Sequence, residues 1–568
     1  MNETVTGAEA LIRALKHEGV DIVFGYPGAS IMPVYDRLYD YRQEIRHVLT
    51  RHEQCAVHAA EGYARVTGRT GVVVATSGPG ATNLVTGIAD ALMDSTPVVV
   101  ITGQVASPML GTDAFQETDV VGVTQPVSKW SFQIRHAADV AWAVARAFYI
   151  ASSGRPGPVV LDFAKDAQLE QTEFSYSKCD FIRSYRPMPK IDSAAIERIA
   201  GMINQAERPM IIAGHGVAIS GAEELLMKFA EKTGIPVAST LLGLSNMPSD
   251  HPLYMGMTGM HGNIAVNVST NKADLILAIG MRFDDRVTGD PQAYARRAQI
   301  VHIDIDESEF DKNVPVAETL HADALQALEA LMPMVDARDR SKWTDTFRIH
   351  QEFEREKIMK PELNPSGNGM TMAEVVSAVS ELSADDAVTV ADVGLNEMMC
   401  ARYTWFRSRR SFVASGGLGT MGFGLPAAIG AKLGAPERQV ILFIGDGGLQ
   451  MSVQELGTVL ENRTAVKIVL LNNNFLGNVR QLQTLFCDRR YSGTPLVNPD
   501  FVMLARSYDI PAENVENRDG LRGAIERMLG SEGCYLLNVA IDEDDMVFPM
   551  TPGGKPVDYI LVGPGEVY

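Results

Sequence analysis

The sequence has few cysteines, a deficit of basic residues and no strongly apolar long run. Its five cysteines contain no Cys-x-x-Cys pair, which argues against a disulfide framework and predicts free thiols in a reducing compartment. Asp and Glu outnumber Lys and Arg by 70 to 50, so a general nucleic-acid or anionic-membrane partner is not expected. Two uncharged stretches, 71–89 and 411–431, are rich in Gly, Thr and Ser and contain Pro, unlike a membrane-spanning helix.

What is present is the composition of a globular protein with several domains. Of the 568 residues, 46% are hydrophobic and 21% are charged, which excludes a disordered or fibrous chain. Charged residues are spread through the first stretch, which has no secretory apolar core, so we expect a cytoplasmic protein. A chain of this length predicts three or four domains.

Short β-branched runs alternate with helical patterns along most of the chain. Near-continuous apolar strands separated by helices predict an α/β fold whose doubly wound parallel sheets are covered on both faces. Polar seams at 166–192 and 342–370 divide the chain into three such domains, at 1–175, 190–340 and 365–568. The expected strands are 21–24, 71–76, 96–102, 209–213, 274–280, 299–305, 387–391, 439–444, 466–471 and 534–541.

Two consecutive strand ends in the third domain carry oxygen-bearing side chains. One strand runs into Gly445-Asp446-Gly447 and the next into Asn472-Asn473-Asn474. Both ends lie on one side of the sheet in a βαβ unit, so Asp446 and Asn473 should come together and suit Mg²⁺, while the glycines admit a diphosphate. An ordinary turn followed by an Asn-rich loop is the alternative. The intervening helix is predicted from apolar residues on one face, Leu449, Val453, Leu456 and Leu460.

The first domain offers a helix start with several reactive side chains. His52, Cys55 and His58 stand three residues apart, but they fan around the helix and lack a fourth ligand, so zinc is not favoured. Glu53 begins the same helix. Its carboxylate suits either the helix dipole or a catalytic role.

Two further patterns suggest nucleotide binding, each weakly. Gly417–Gly422 fits G-x-G-x-x-G. The strand at 299–305 ends in Asp304 and Asp306, where a nucleotide-binding fold places an acid for a ribose.

Longer strings in all three domains carry a family resemblance. They are GYPGAS, RHEQ, AAEGYAR, SGPGATN and GTDAFQE in the first domain, TGMHGN, IGMRFDDRVTG and VHIDID in the second, and GGLGTMGFGLPAAIGA and GDG with its following NN in the third. The chain resembles the acetohydroxyacid synthase (acetolactate synthase) catalytic subunits over essentially its whole length. The resemblance implies thiamine diphosphate, Mg²⁺ and FAD as cofactors. It also implies decarboxylation of pyruvate and condensation with a second 2-keto acid, the first common step of branched-chain amino-acid biosynthesis.

The resemblance also assigns the thiamine site position by position. Glu53 would be the proton-relay acid at N1′ of the aminopyrimidine, and Asp446, Asn473 and the carbonyl of Phe475 would hold Mg²⁺. Lys165 would be a cation for substrate carboxylates. The remaining thiamine and reaction-centre positions are Pro79, Phe115, Gln116, Gly419, Met421, Gly445 and Gly447.

A flavin site in the second domain follows from the same resemblance. Arg286 would reach the channel for the second keto acid, and Leu482 would face the acceptor. The implied FAD contacts are Arg155, Gly214, Gly216, Thr240, Leu241, Gly259, Met260, His261, Gly280, Arg282, Asp284, Asp304 and Asp323.

The resemblance further implies that each site forms between two chains, Glu53 of one chain facing Asp446 of the other. A homodimer or a dimer of dimers is expected, and a small regulatory subunit is compatible with this assembly. Two alternatives remain: a flavin-thiamine enzyme of the pyruvate oxidase or decarboxylase type, and a non-catalytic paralogue.

Three departures from the family pattern affect the details. Leu395–Met399 replaces the usual Gln-His-Gln-Met-Trp, which removes expected side-chain contacts to the diphosphate. Asn478 replaces a Met, and Leu482 replaces a Trp associated with preference for 2-ketobutyrate. We therefore predict a stronger preference for pyruvate as acceptor than most relatives show.

Overall fold

Three parallel sheets organise the chain, as the sequence predicts, and each sheet has six strands. The computed structural model describes residues 3–568, and the strands of its three large sheets lie at 22–164, 209–321 and 388–540. Each sheet falls within one of the predicted domain ranges, whose exact limits stay a prediction. Among residues 3–568, no helix combines the length and apolar character needed to cross a membrane.

The first sheet consists of β2 (Ile22–Tyr26), β3 (Arg46–Leu49), β4 (Gly71–Ala75), β5 (Val98–Gln104), β6 (Trp130–Ile134) and β7 (Pro158–Ala164), in the order β3-β2-β4-β5-β7-β6. Beside it, β1 (Glu3–Thr6) pairs antiparallel with β8 (Gln171–Phe174). The helices of this unit are α1 (Gly7–His17), α2 (Met32–Asp40), α3 (Glu53–Thr67), α4 (Pro79–Thr82), α5 (Val85–Met93), α6 (Val120–Thr124), α7 (Val140–Ser152) and α8 (Lys165–Leu169).

The second sheet consists of β9 (Pro209–Ala213), β10 (Val237–Ser239), β11 (Tyr254–Met257), β12 (Leu275–Ile279), β13 (Gln299–Asp304) and β14 (Glu318–His321), in the order β11-β10-β9-β12-β13-β14. Its helices are α9 (Ser193–Gln205), α10 (His215–Ser220), α11 (Glu223–Thr233), α12 (Ile264–Thr270), α13 (Asp285–Thr288) and α14 (Ala324–Leu331). The seam predicted at 342–370 is largely helical: α15 (Ser341–Glu354), a π-helical turn at 355–359 and α16 (Lys360–Leu363).

The third sheet consists of β15 (Val388–Ala391), β16 (Phe412–Val413), β17 (Val440–Gly445), β18 (Val466–Asn472), β19 (Ala512–Val515) and β20 (Tyr535–Ala540), in the order β16-β15-β17-β18-β20-β19. A terminal hairpin pairs β21 (Leu561–Gly563) with β22 (Glu566–Val567). The helices are α17 (Met372–Leu382), α18 (Leu395–Tyr403), α19 (Gly424–Gly434), α20 (Asp446–Ser452), α21 (Leu456–Asn462), α22 (Gly477–Phe486), α23 (Phe501–Arg506) and α24 (Arg518–Gly530).

Apolar side chains on both faces explain why the central strands are nearly continuous apolar runs. In β4, Val72 and Val74 pack on one face with α1 and α7, whereas Val73 packs on the other face with α3 and α5. The sheet of a doubly wound fold is buried on both sides, so no strand position needs a polar residue. The short edge strands lack such apolar runs, and the sequence predicts none of the six, which are β3, β6, β11, β14, β16 and β19.

Two glycines let α3 and α19 pack closely and join the first unit to the third. A Cβ atom at Gly62 would lie 2.0 Å from the carbonyl oxygen of Ala427, and one at Gly430 would lie 1.7 Å from that of Ala59. Only glycine allows this backbone approach. The contact fixes α3, which begins with Glu53, against the third unit of the same chain.

A buried ion pair joins the second unit, the linker and the third unit. Arg402 Nη2 donates to Glu354 Oε1 at 2.7 Å, with both side chains 2% exposed. Glu354 also accepts hydrogen bonds from Asn263 Nδ2 at 2.9 Å and from the backbone N–H of Ile264 at 2.7 Å. The carboxylate is therefore fully paired, and its charge depends on Arg402.

Replacing Glu354 by Ala should destabilise the protein by about 3–5 kcal/mol, because the guanidinium of Arg402 would stay buried without a counter-charge. Chemical denaturation measures the change. Glu381→Ala is the control, since Glu381 pairs with Arg522 at 3.5 Å on the exposed surface, and its loss should cost no more than about 1 kcal/mol. Equal effects of the two variants would contradict the role of the buried pair.

Candidate functional site

Asp446 and Asn473 lie next to each other at the carboxyl edge of the third sheet. β17 ends at Gly445 and β18 at Asn472, and the parallel register places Gly445 opposite Leu471. Asp446 is 1% exposed and Asn473 is 3% exposed. The topology thus brings together two residues that the sequence places in separate strands.

The side chains around Asp446 form a hydrogen-bonded group. It includes Asn498, a residue that the sequence analysis missed. Asn498 Nδ2 donates to Asp446 Oδ2 at 2.6 Å, to Asn474 Oδ1 at 3.0 Å and to Asn472 Oδ1 at 3.1 Å. Burial raises the pKa of Asp446, and the hydrogen bond from Asn498 acts in the opposite direction. No spacing rule marks Asn498, which lies in a loop beyond α22.

The residues at this edge fit a magnesium-bound diphosphate. The buried Nδ2 of Asn473 has no hydrogen-bond partner, while its Oδ1 accepts from the backbone N–H of Phe475 at 3.1 Å. A buried polar group without a partner is costly, which favours a bound group at this position. A carboxylate, an amide oxygen and a backbone carbonyl are suitable ligands for Mg²⁺.

The glycine-rich loop at 415–422 lies beside this group. Gly419 and Gly422 have φ values of +71° and +86°, which side-chain-bearing residues rarely adopt. A Cβ atom at Gly447 would lie 3.6 Å from Cε of Met421, so the predicted thiamine contacts Met421 and Gly447 are neighbours. The backbone N–H groups of Gly416 and Gly417 donate to Asp94 of the first unit at 3.0 and 2.7 Å.

Glu53 lies at the carboxyl edge of the first sheet, partly exposed. Its Oε2 accepts a hydrogen bond from Asn83 Nδ2 at 2.9 Å, and a Cβ atom at Gly80 would lie 3.3 Å from Oε1. Pro79 begins α4 beside them and is exposed. Asn83, the last residue of the SGPGATN string, positions Glu53 and was not singled out from the sequence.

The predicted reaction-centre residues of the first unit surround this edge. Phe115 is 88% exposed, and Gln116, at φ +59°, packs against Gly78: a Cβ atom there would lie 2.9 Å from Gln116 Cβ. Lys165 follows β7 as the first residue of α8 and is partly exposed.

The histidines and the cysteine near Glu53 do not form a common group. His58 is buried, with Nδ1 lying 3.0 Å from Glu61 Oε1 and 3.6 Å from Asp90 Oδ2. Burial lowers the pKa of His58 and raises that of Asp90 to about 8. Neither His52 nor Cys55 joins this cluster in the described part of the chain.

A cavity of about 1130 Å³ lies where the second unit meets the other two. This volume is at the upper end for a ligand pocket and accommodates a dinucleotide. Of the predicted flavin residues, those that line it are Arg155, Gly216, Thr240, Leu241, Met260, His261, Gly280, Arg282, Asp284, Asp304 and Asp323.

Two predicted flavin contacts do not line the cavity. A Cβ atom at Gly214 would lie 2.1 Å from the carbonyl oxygen of Gly280, and one at Gly259 would lie 2.6 Å from that of Arg286. Both glycines therefore serve close backbone packing that shapes the cavity. Their assignment as direct flavin contacts remains a prediction.

Acidic groups at one end of the cavity bind Arg155. Its Nη1 contacts Glu309 Oε1 at 2.7 Å and Asp306 Oδ2 at 3.2 Å. Burial raises the pKa of Asp304 to about 7. Glu309 was missed by the sequence analysis, because it follows the strand end by five residues and no local pattern distinguishes it.

One face of α22 also lines the cavity. Asn478, Leu482 and Phe486 recur every four residues and all line it, as do Gly419 and Arg286. Leu482 is 39% exposed, and Arg286 lies 3.8 Å from Asp285. The altered segment packs inward: Leu395 lies against Gly477, and Asn396 donates to the carbonyl oxygen of Asp392 at 2.5 Å.

Comparison with known proteins identifies the family. Residues 5–123, 196–331 and 392–539 match the thiamine pyrophosphate enzyme N-terminal TPP binding domain, central domain and C-terminal TPP binding domain. The acetolactate synthase large subunit of Corynebacterium glutamicum is 43% identical over 97% of this chain and 89% of its own length. The chain belongs to the acetolactate synthase large-subunit family.

Other members of this family show similar coverage. The acetolactate synthase isozyme 2 large subunit of Escherichia coli is 42% identical over 97% of this chain and 98% of its own length. Chloroplastic acetolactate synthase 1 of Nicotiana tabacum is 42% identical over 100% of this chain and 86% of its own. The family resemblance and the cofactors it implies, thiamine diphosphate, Mg²⁺ and FAD, are thereby confirmed.

Replacing Asn473 by Ala should weaken Mg²⁺-dependent binding of thiamine diphosphate by about 100-fold or more, since even outer-shell changes at metal sites cost 10- to 100-fold. Calorimetric titration of the full chain with the cofactor and Mg²⁺ gives the affinity. Asn462→Ala is the control, because the Asn462 amide donates to Thr458 within α21. Unchanged affinity of the Asn473→Ala variant for the cofactor would show that Asn473 does not belong to the metal site.

Proposed function

We propose that two copies of this chain form an acetolactate synthase that decarboxylates pyruvate and joins the two-carbon fragment to a second 2-keto acid. The proposal rests on one observation: the chain places the carboxylate of Glu53 at the edge of one sheet and the carboxylate and amide of Asp446 and Asn473 at the edge of another, a pair that suits Mg²⁺. No observation favours the oxidase or the non-catalytic alternative.

Exposure around both sheet edges supports a site built from two chains. Phe115 is 88% exposed, and Val497, next to the Asp446 partner Asn498, is fully exposed. Apolar side chains this exposed at a functional edge are typical of an interaction surface, and a second copy would cover them.

The chain's own residues have distinct roles in this proposal. Asp446, Asn473 and the carbonyl of Phe475 would hold Mg²⁺, and Glu53, oriented by Asn83, would hold a proton at N1′ of the aminopyrimidine. When bound, thiamine diphosphate supplies the electron sink for loss of CO₂ from a 2-keto acid.

The substrates require cations and a site from which water is excluded. Lys165 and Arg286 would each bind a 2-keto acid carboxylate. Phe115 would close the site once a second copy packs over it, because its ring is too exposed within one chain to shield anything. The flavin would fill the large cavity and hold Arg286 and α22 in place around the acceptor.

Mixing two inactive variants tests the shared site. With sites between chains, a mixed dimer of Glu53→Gln and Asp446→Asn subunits contains one intact site, so an equal mixture should regain about a quarter of wild-type acetolactate formation. Product analysis after dissociation and reassociation measures this. Each variant alone is the control. A mixture no more active than either parent would place each site within a single chain.

Replacing Leu482 by Trp should shift acceptor choice toward 2-ketobutyrate by about tenfold, since a larger apolar contact is worth roughly 1–3 kcal/mol in discrimination. A competition assay with both keto acids gives the product ratio. Met503→Trp is the control, because Met503 is 69% exposed and lies outside the cavity. A strong preference for 2-ketobutyrate in the unmodified enzyme would contradict the predicted role of Leu482.

A further inference from the structure

Glu397 is a buried acid beside the large cavity to which nothing above assigns a role. It lies in the first turn of α18, is 4% exposed, and lines the cavity together with Gly394 and Met398 of the same segment. The glycine-rich loop at 416–419 lines the same region. The residue therefore lies beside the cavity proposed for the flavin, to which the glycine-rich loop also contributes.

The carboxyl group of Glu397 is incompletely paired. Its Oε1 is buried and has no hydrogen-bond partner, and no ion pair involves Glu397 in the described part of the chain. An unpaired carboxylate is strongly disfavoured at a buried position, whereas a neutral carboxylic acid can act as a hydrogen-bond donor.

Three aspartates, Asp392, Asp94 and Asp90, make the surroundings of Glu397 acidic. Asp392 at the end of β15 accepts hydrogen bonds from Gly422 and Gly424, and Asp94 after α5 accepts from the glycine-rich loop. Asp90 accepts from Ser415 at 2.6 Å. The charged groups that face these acids are the α3 side chains His58 and Arg65, each 3.6 Å from its aspartate, and Arg282 near Asp94.

Burial and this acidic environment raise the pKa of Glu397 well above its ordinary range. Arg65 lies next to Asp94, which offsets its charge, and burial lowers the pKa of His58, so neither group supplies a counter-charge for Glu397. An ionised Glu397 would also repel a phosphate-bearing ligand in the cavity.

We propose that Glu397 is held as a neutral acid and donates its O–H to a phosphate-bearing cofactor seated in the cavity, so that binding requires this proton. The identity of the two candidates, FAD and thiamine diphosphate, rests on the proposed function. The neutral form is present below the pKa of Glu397 and is lost as pH rises through it. Affinity should then fall up to tenfold for each further pH unit.

The test measures the affinity of the full chain for FAD, by flavin fluorescence, and for thiamine diphosphate with Mg²⁺, by calorimetry, at a series of pH values that extends above the pKa of Glu397. Glu397→Gln keeps the shape and a donor without the ionisation. The affinity of this variant for one of the two cofactors should stay constant over the pH range in which the affinity of the unmodified chain declines. Glu381→Gln, which removes an exposed acid of α17, should behave like the unmodified chain.

Proton uptake by the unmodified chain gives a second readout that does not depend on any variant folding. In weak buffer above the pKa of Glu397, binding of the cofactor that it contacts should take up one proton. Identical pH profiles for the unmodified chain and Glu397→Gln, or binding without proton uptake, would overturn this inference alone. Failure of both cofactors to bind at any pH would overturn the proposed function and this inference with it.

Discussion

Parallel strands that end at a common edge bring together the side chains on which every inferred function depends. Asp446 and Asn473 follow adjacent strands β17 and β18. Gly280 follows β12, and Asp304 is the last residue of the neighbouring strand β13. Glu53 lies at the corresponding edge of the first sheet. Right-handed βαβ connections force this arrangement, because each helix returns the chain to the opposite edge before the next strand begins.

Such edges become sites only if the three units keep fixed positions, and buried polar contacts provide this. Asp94 of the first unit accepts hydrogen bonds from two backbone N–H groups in the glycine-rich loop of the third unit. Glu354 of the linker holds Arg402 of the third unit and the backbone of Ile264 in the second. These groups are buried, so they have few other hydrogen-bond partners available. The interfaces therefore favour one relative placement of the three units.

Much of the fold and part of the site could be predicted from the sequence. The ten expected strands all exist, because strands covered on both faces are apolar runs. The edge strands and the internal strands β7 and β10 were missed. The helix predicted across Leu449 to Leu460 is two helices separated by a tighter turn at 453–455, and Leu460 is 42% exposed. Periodicity does not reveal such a break, since a 3₁₀ turn changes the register by only a fraction of a residue.

The sequence alone determined the family, the cofactors and the residues at the strand ends, since these follow from local strings and from the direction of parallel strands. Only the tertiary structure showed that Asn498 donates to Asp446, that Asn83 holds Glu53, and that Glu397 lies buried among acids. It also distinguished the glycines, among those predicted to contact FAD, that line the cavity from those that allow close backbone packing. These contacts join residues that are far apart in sequence. They arise from tertiary packing, and a local sequence pattern does not predict them.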